Sequence, residues 1–580
     1  MSLPTTALGD LRESYDYIIV GGGTAGCVLA NRLSQDPNVT VLLVERGGLG
    51  EGWQARIPLL SAHFASDKSR SRIWKTVPQT HLGGREVEII GGNALGGTTR
   101  INGTIYTRGL PAEYNAWAQS SGVEHWKYEY MEKYFLRSEK NLDQTLEGKH
   151  YHASTGEWPN RALPAVWGHT GHIIRATSAL GLPYVEDISS PYQHAHGYGR
   201  LRLSVDSTGN RGAVSAAFLP KDLVKTRSDH LHISLHSTVH RLEIKEDGKS
   251  LSVEGVWIQK SDATGPTRLI KANREVILSG GAISSPQTLL LSGIGPEKHL
   301  KQHGIPVKKN MSGVGSNLQD HLSVPVQYHI PLRDSILSIQ ASIITLIKEL
   351  ILYFLFGIGF FINASTMDGI IFLQSKLMDE DNRVSSYSKA DMDPKLPRNL
   401  PDLEFLPIST ADGAYVKPKN GGFTLYSVTL RPYSSGTVRL ASSDPFASVV
   451  IDPNYLSDER DRALFRKGIR FTYQLIAQMR EQGYSIDGIH TPDGLTDTEL
   501  DAFLEKECVS FYHYSSTCRM APEEEGGVVD GRLRVYGIKG LRIADASIFP
   551  SCPSAHLAAV TVAVAEKCAD MVLEDARTGR

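Results

Sequence analysis

Cysteine is scarce in this chain. The five residues present in 580 (Cys27, Cys508, Cys518, Cys552 and Cys568) form an odd set with no CxxC, which speaks against a disulfide framework or a zinc site. Charge of one sign is also lacking: 61 basic against 63 acidic side chains leave a net −2. A chain so balanced has no bulk field to draw nucleic acid or an anionic membrane. The N-terminal MSLPTTALGDLRESYDY carries no basic flank followed by an apolar run, so it is not read as a secretory signal. The C-terminal DARTGR matches no targeting address. A cytoplasmic setting is the expectation.

A long hydrophobic run is missing too. The most apolar stretch, LILYFLFGIGFFI at 350–362, is thirteen residues, short of the roughly 20 that cross a bilayer. With the apolar residues before it, 337–362 is expected to be a buried helix or an apolar flap over a substrate entrance. Weak contact with a membrane surface is the remaining reading.

What is present is ordinary globular composition, 41% hydrophobic and 21% charged. At about 150 residues per domain the length allows roughly four units, or two large ones. The opening YDYIIVGGGTAGCVLANRLSQDPNVTVLLVERGG is the most informative segment. A β-branched strand (15–20) leads into Gly21, Gly23 and Gly26, spaced G-x-G-x-x-G, then a helix and a second strand ending in Glu45. Gly21 suits a tight turn, Gly23 lets the backbone approach a pyrophosphate, and Gly26 lets helix and strand pack closely. The helix N-terminus presents free N–H groups to phosphate. Glu45 stands where a carboxylate meets a ribose 2′-OH and repels a 2′-phosphate, so FAD or NAD is expected and NADP is not.

A second cluster of small residues, Gly96-Gly97-Thr98-Thr99 within GGNALGGTTRINGTIYTRG, exceeds what one NAD site needs. Close backbone approach to a flat isoalloxazine would use it. Here the chain resembles the glucose–methanol–choline (GMC) oxidoreductases. Their signature G-[RKN]-x-L-G-G-[GST]-[GST]-x-[IV]-N is matched from Gly92 to Asn102, and a second by GAISSPQTLLLSGIGP at 281–296, with Thr288 where an aliphatic residue is usual. WKTVPQT, GNRGAVSAAFLP, VGSNLQDHL, GTVRLASSDP, IDPNYLS and VYGIKGLRIADASIFP extend the similarity over about 14–575.

The resemblance implies an α/β fold: a doubly wound, Rossmann-like FAD domain joined to a substrate domain on a mostly antiparallel sheet. The FAD domain is expected from 14–160, 205–325 and 510–576, and the substrate domain from 161–204 and 326–509. FAD is the implied cofactor. Besides Gly21, Gly23, Gly26, Gly97 and Thr98, the implied contacts are Thr24-Ala25, Glu45-Arg46, Asn102 to Ile105 (with Gly103 and Thr104), Asp545-Ala546 and Leu557. Val239 is implied to hold the adenine through its backbone.

Twenty histidines need sorting. His232, His236 and His240 in DHLHISLHSTVH suggest a metal face only on a helix. Leu231, Ile233, Leu235 and Val239 alternate with polar residues, a strand pattern, and four residues of strand span about 13 Å, too far for one ion. His194 and His196 are read as loop residues without ligand partners; His63, His81, His150 and His152 are read as solvated or structural. That leaves FYHYSSTCRM at 511–520. The resembled family places a histidine, then x-x-G-T-x-x-M, beside the flavin N5; here His513 and Thr517 keep their places, Ser516 replaces the glycine and Tyr514 a common proline. His556 fills the partner position 43 residues on.

The pair has a chemical use. A neutral imidazole can take an alcohol's hydroxyl proton near neutral pH while the cofactor takes hydride at N5. His513 is the expected base and His556 the residue that orients the alkoxide. The expected activity is oxidation of an apolar, aryl or secondary-metabolite alcohol, with oxygen or a quinone as acceptor. A lyase, cyclase or decarboxylase on the same scaffold is the alternative, because fold does not fix function.

Overall fold

The computed structural model describes residues 3–61, 67–146, 148–194, 196–248, 250–417 and 419–579; His63 lies outside them. β1 (Ser14–Val20) is followed by α1 (Thr24–Leu33) and β2 (Val41–Val44). Every residue of α1 and β2 is buried, as the continuous apolar runs require of a parallel sheet covered on both faces.

β1 and β2 join β3 (Leu231–Ser234), β4 (Ser237–Asp247), β5 (Ser250–Lys260) and β6 (Arg268–Leu278) in the order β3-β2-β1-β6-β5-β4. The first three contacts in that order are parallel and the last two antiparallel. A late strand, Leu541–Ile543, adds to β6 in parallel. β1 therefore pairs with β6 some 250 residues away, Val20 facing Leu278, and both strands end at one edge. α2 (Gly281–Leu291) begins at that edge, where open α/β sheets bind their ligands.

The second sheet is mostly antiparallel. β7 (Leu322–Pro331), β8 (Gly369–Leu373) and β9 (Leu403–Ile408) meet β10 (Asn420–Thr429) in the order β7-β10-β9-β8, extended past β8 by Gly197–Arg200. Its strands alternate faces, so Leu403 and Phe405 enter one apolar cluster and Leu406 another. The long helix α4 (Glu459–Glu481) covers the first of these clusters with Phe465, Ile469 and Leu475.

The 337–362 stretch is a correction to the buried-helix expectation. It forms a short helix at Leu337–Ala341, then α3 (Ile343–Ile351), a π-turn at Leu352–Phe356 and a 3-10 turn at Phe360–Ile362. Ile343, Ile344, Ile347, Phe354, Leu355 and Phe356 are exposed, whereas Tyr353, Phe361 and Ile362 are buried in the cluster that contains Ile105 and touches Phe511. Glu349, buried under the turn, accepts the Phe360 N–H at 2.8 Å. No helix among the described residues is long and apolar enough to cross a membrane.

Candidate active site

Two glycine loops meet at the edge of the first sheet. Gly96 N–H donates to Gly22 O at 2.7 Å, and a Cβ on Gly97 would lie 2.8 Å from Gly23 Cα. A Cβ on Gly26 would lie 1.9 Å from Gly21 O, so Gly26 acts in helix–strand packing. These contacts are tolerable only without side chains. A cleft opens beside them, lined by Gly21, Gly23, Thr24, Ala25, Gly97 and Thr98. The same lining includes Glu45, Arg46, Val239, Asp545, Ala546 and Leu557. Asn102, Gly103, Thr104 and Ile105 lie outside that lining. They form the next loop, where Asn102 Oδ1 accepts from Arg211 at 2.8 Å and Gly103 O from the Ser365 hydroxyl at 2.6 Å.

The cleft is built for a diphosphate and a ribose. Glu45, raised by burial above its ordinary carboxyl pKa, accepts N–H bonds from Gly22 (2.8 Å) and Gly47 (2.7 Å). A carboxylate has about four acceptor positions, so capacity for a hydroxyl remains. Arg46 and Arg72 also line the cleft and make no ion pair among the described residues; burial lowers Arg72 to about 10. Glu45 is the one carboxylate acting on Arg46, and none acts on Arg72, so these desolvated cations leave positive charge for an anionic ligand. Asp545 is spent on structure, accepting from Gly281 N–H (2.8 Å), the Ser285 hydroxyl (2.6 Å) and Ser547 N–H (2.8 Å). It thereby ties the start of α2 to the segment after Leu541–Ile543.

Tyr512, Tyr514 and Leu557 line the same cleft; His513 and His556, their neighbours in sequence, lie outside that lining. His513 and His556, 43 residues apart in sequence, come together with ring centroids 4.9 Å apart and planes at 85°. His556 is the cap residue of α5 (Leu557–Thr578) and Phe511 packs edge-on against both rings. Each histidine is held through one nitrogen. His513 Nδ1 lies 2.8 Å from His321 Nδ1, and His556 Nε2 lies 2.9 Å from Glu404 Oε1. Burial, then the neighbouring His556 and His321, holds His513 well below the usual imidazole pKa, so it is neutral at pH 7.

Asp320 anchors the backbone here. Its carboxylate accepts the His513 N–H (2.7 Å) and the hydroxyls of Tyr455 and Ser510 (2.6 Å each), and burial lifts its pKa to about 6. The substitution at Ser516 leaves the turn in place: the residue keeps φ +71°, the left-handed region that glycine favours, and is buried.

His321, Asp320 and Glu404 were not singled out from sequence; Cys552, close to His556 in sequence, is buried and unpaired. His321 and Asp320 fall in the VGSNLQDHL stretch, whose similarity was the available signal; Glu404 comes from the centre of β9, and nothing local marks it. The remaining histidines take structural partners. His232 meets Tyr15 Oη at 2.6 Å, His240 packs on Phe446, His196 on Tyr387, and His152 bridges Glu139 and Asp187.

The sequence profile of the GMC oxidoreductases matches residues 15–323 and again 432–565. The chain belongs to this family. It is an FAD-dependent oxidoreductase of the alcohol oxidase and dehydrogenase type. Among its relatives, an oxygen-dependent choline dehydrogenase of Chromohalobacter salexigens is 33% identical, over 97% of this chain and 95% of that protein. An FAD-dependent oxidoreductase of Chaetomium thermophilum has a similar structure, with TM-score 0.83, 25% identity and coverage of 97% and 100%. A formate oxidase of Aspergillus oryzae gives 0.85 and 26%, covering 98% and 99%. The doubly wound GMC fold and its FAD are thus features of the chain.

Proposed function

We propose that this enzyme oxidises the hydroxyl of an apolar, aryl or secondary-metabolite alcohol at His513 and His556. The pairing of His513, neutral at pH 7, with His556, beside the cleft-lining Tyr512, Tyr514 and Leu557 in sequence, carries the reading. FAD, when bound, supplies the hydride acceptor that the reaction needs. Gly21, Gly23, Thr24, Ala25, Gly97 and Thr98 would hold it together with Glu45, Arg46, Val239, Asp545, Ala546 and Leu557. The Asn102–Ile105 loop adjoins them. By this assignment 14–160, 205–325 and 510–576 serve the cofactor, and 161–204 and 326–509 serve the substrate; β7 runs across the 325/326 boundary.

His513 Nε2 takes the hydroxyl proton, since its Nδ1 is already engaged. His556 donates or accepts at the same oxygen through Nδ1, with its ring fixed by Glu404. As the O–H bond breaks toward His513, the C–H pair of the same carbon leaves as hydride, so the carbinol becomes a carbonyl. Phe511 packs edge-on against both rings and joins them to the apolar cluster of Tyr353, Phe361 and Ile105, surroundings that offer little to a sugar. That apolar shell supports the substrate class. Oxygen or a quinone reoxidises the enzyme, and five unpaired, buried cysteines are consistent with a reducing, cytoplasmic setting. The exposed apolar face of 343–358 supports weak contact with a lipid surface.

Anaerobic mixing of the purified flavoprotein with benzyl alcohol, a long-chain primary alcohol, choline and glucose tests the reading. Bleaching of the flavin by an apolar alcohol, with one carbonyl formed per flavin, is expected. If dithionite bleaches the flavin and no alcohol does, the lyase, cyclase or decarboxylase reading replaces it.

A further inference from the structure

Behind the histidine pair lies a second-layer arrangement that decides which nitrogen of His513 carries the proton. His321 is fully buried. Its Nδ1 meets His513 Nδ1 at 2.8 Å, its Nε2 meets Cys552 Sγ at 3.2 Å, and that sulfur lies 3.6 Å from the His513 carbonyl oxygen. The four groups close a ring of contacts, and only one proton fits between the two Nδ1 atoms.

Two arrangements satisfy the Nδ1 contact. In one, His321 carries the shared proton, its Nε2 accepts from the Cys552 thiol, and His513 is left protonated on Nε2, where it cannot act as base. In the other, His513 Nδ1–H donates to His321, His321 Nε2–H points to Cys552 Sγ, and the thiol donates to the His513 carbonyl. The surroundings favour the second. Only the second also satisfies the contact between Cys552 Sγ and the His513 carbonyl, because in the first the single thiol proton is already spent on His321 Nε2. Burial holds His321 near a pKa of about 3 and pushes the Cys552 thiol up, so neither ionises near neutrality and the proton placement is stable.

We propose that His321, backed by Cys552, is a positioning residue that holds His513 as its Nδ1–H tautomer and frees Nε2 for the alcohol proton. This rests on His513 being the base. The measurement is 15N NMR of histidine-labelled holoenzyme, with the His513 signals assigned by their loss in His513→Gln. An unprotonated Nε2 and protonated Nδ1 are expected in the wild type; a protonated Nε2 overturns the proposal. His321→Leu, which has no acceptor, should shift the His513 tautomer, while His321→Asn, which offers a carbonyl oxygen, should retain it. Flavin reduction by an alcohol should fall about tenfold or more in His321→Leu, as when a histidine loses the partner that sets its tautomer, and recover in His321→Asn. Equal rates and equal tautomers in the two variants would also overturn it. Should His321→Leu fail to bind FAD, the wild-type spectrum and His321→Asn still decide. A His513→Ala variant with wild-type rate would sink the base assignment and leave the tautomer result standing; the two failures are separable.

Discussion

Asp320 shows how much of the site is held by single side chains. Its carboxylate gathers one N–H and two hydroxyl donors with no cation beside it. Asp320→Asn would turn an amide NH2 toward one of those donors. A loss of about 1–3 kcal/mol is expected for the unsatisfied buried group, read from the denaturant midpoint. Ser516 runs the other way: glycine there relieves a left-handed residue, so Ser516→Gly should stabilise by up to about 1 kcal/mol with FAD retained. At this scale the histidine pair was legible because each member sits in an ordered motif. Glu404 was not, because a carboxylate on an apolar strand looks the same whether it faces a histidine or a serine. Arg46 was visible as a neighbour of Glu45, whereas its fellow cleft cation Arg72 reaches the second glycine loop only through strand pairing, opposite Gly91.

The β1–α1–β2 unit was readable as an element, since period, glycine spacing and the terminal acid agree. Sheet order was not, because β6 enters beside β1 only through long-range pairing. Gly26→Ala tests the packing logic of this unit. Its Cβ would overlap Gly21 O, so protein recovered without FAD absorbance is expected, while an alanine at Gly9, with open space around it, should leave FAD content unchanged. Of the readings of 337–362 only the buried helix failed, and for a physical reason: the uncharged run at 350–362 erases the period that separates a buried helix from a half-exposed one. Because Ile344 and Phe354 are 77% and 69% exposed, the double change to serine should move the unfolding free energy by less than about 0.5 kcal/mol.

Across the whole molecule, buried neutral histidines set the acid response. His169, His196 and His321 are each held near a pKa of about 3 by burial. The unfolded chain binds those protons near 6.5, so stability is full above that pH and is lost as pH falls below it. Asp320, raised to about 6, opposes them between its ordinary 3.8 and 6, as do the raised carboxyls of Glu45, Glu113, Asp368, Asp402 and Asp545. His299, His513 and further lowered imidazoles add to the loss, and it is imidazoles that the unfolded chain protonates between pH 7 and 5. Thermal midpoints should therefore fall from pH 7 to pH 5; an unchanged midpoint would contradict the assignment of neutral buried rings. The two-sheet plan was legible as a family resemblance, although its core contacts join strands that no local pattern pairs. One measurement bears most directly on the whole account: the rate of anaerobic flavin reduction by an alcohol in wild type and His513→Ala at equal FAD content. A loss of at least about 100-fold is predicted for removing the general base. A rate within a few-fold of wild type would contradict it.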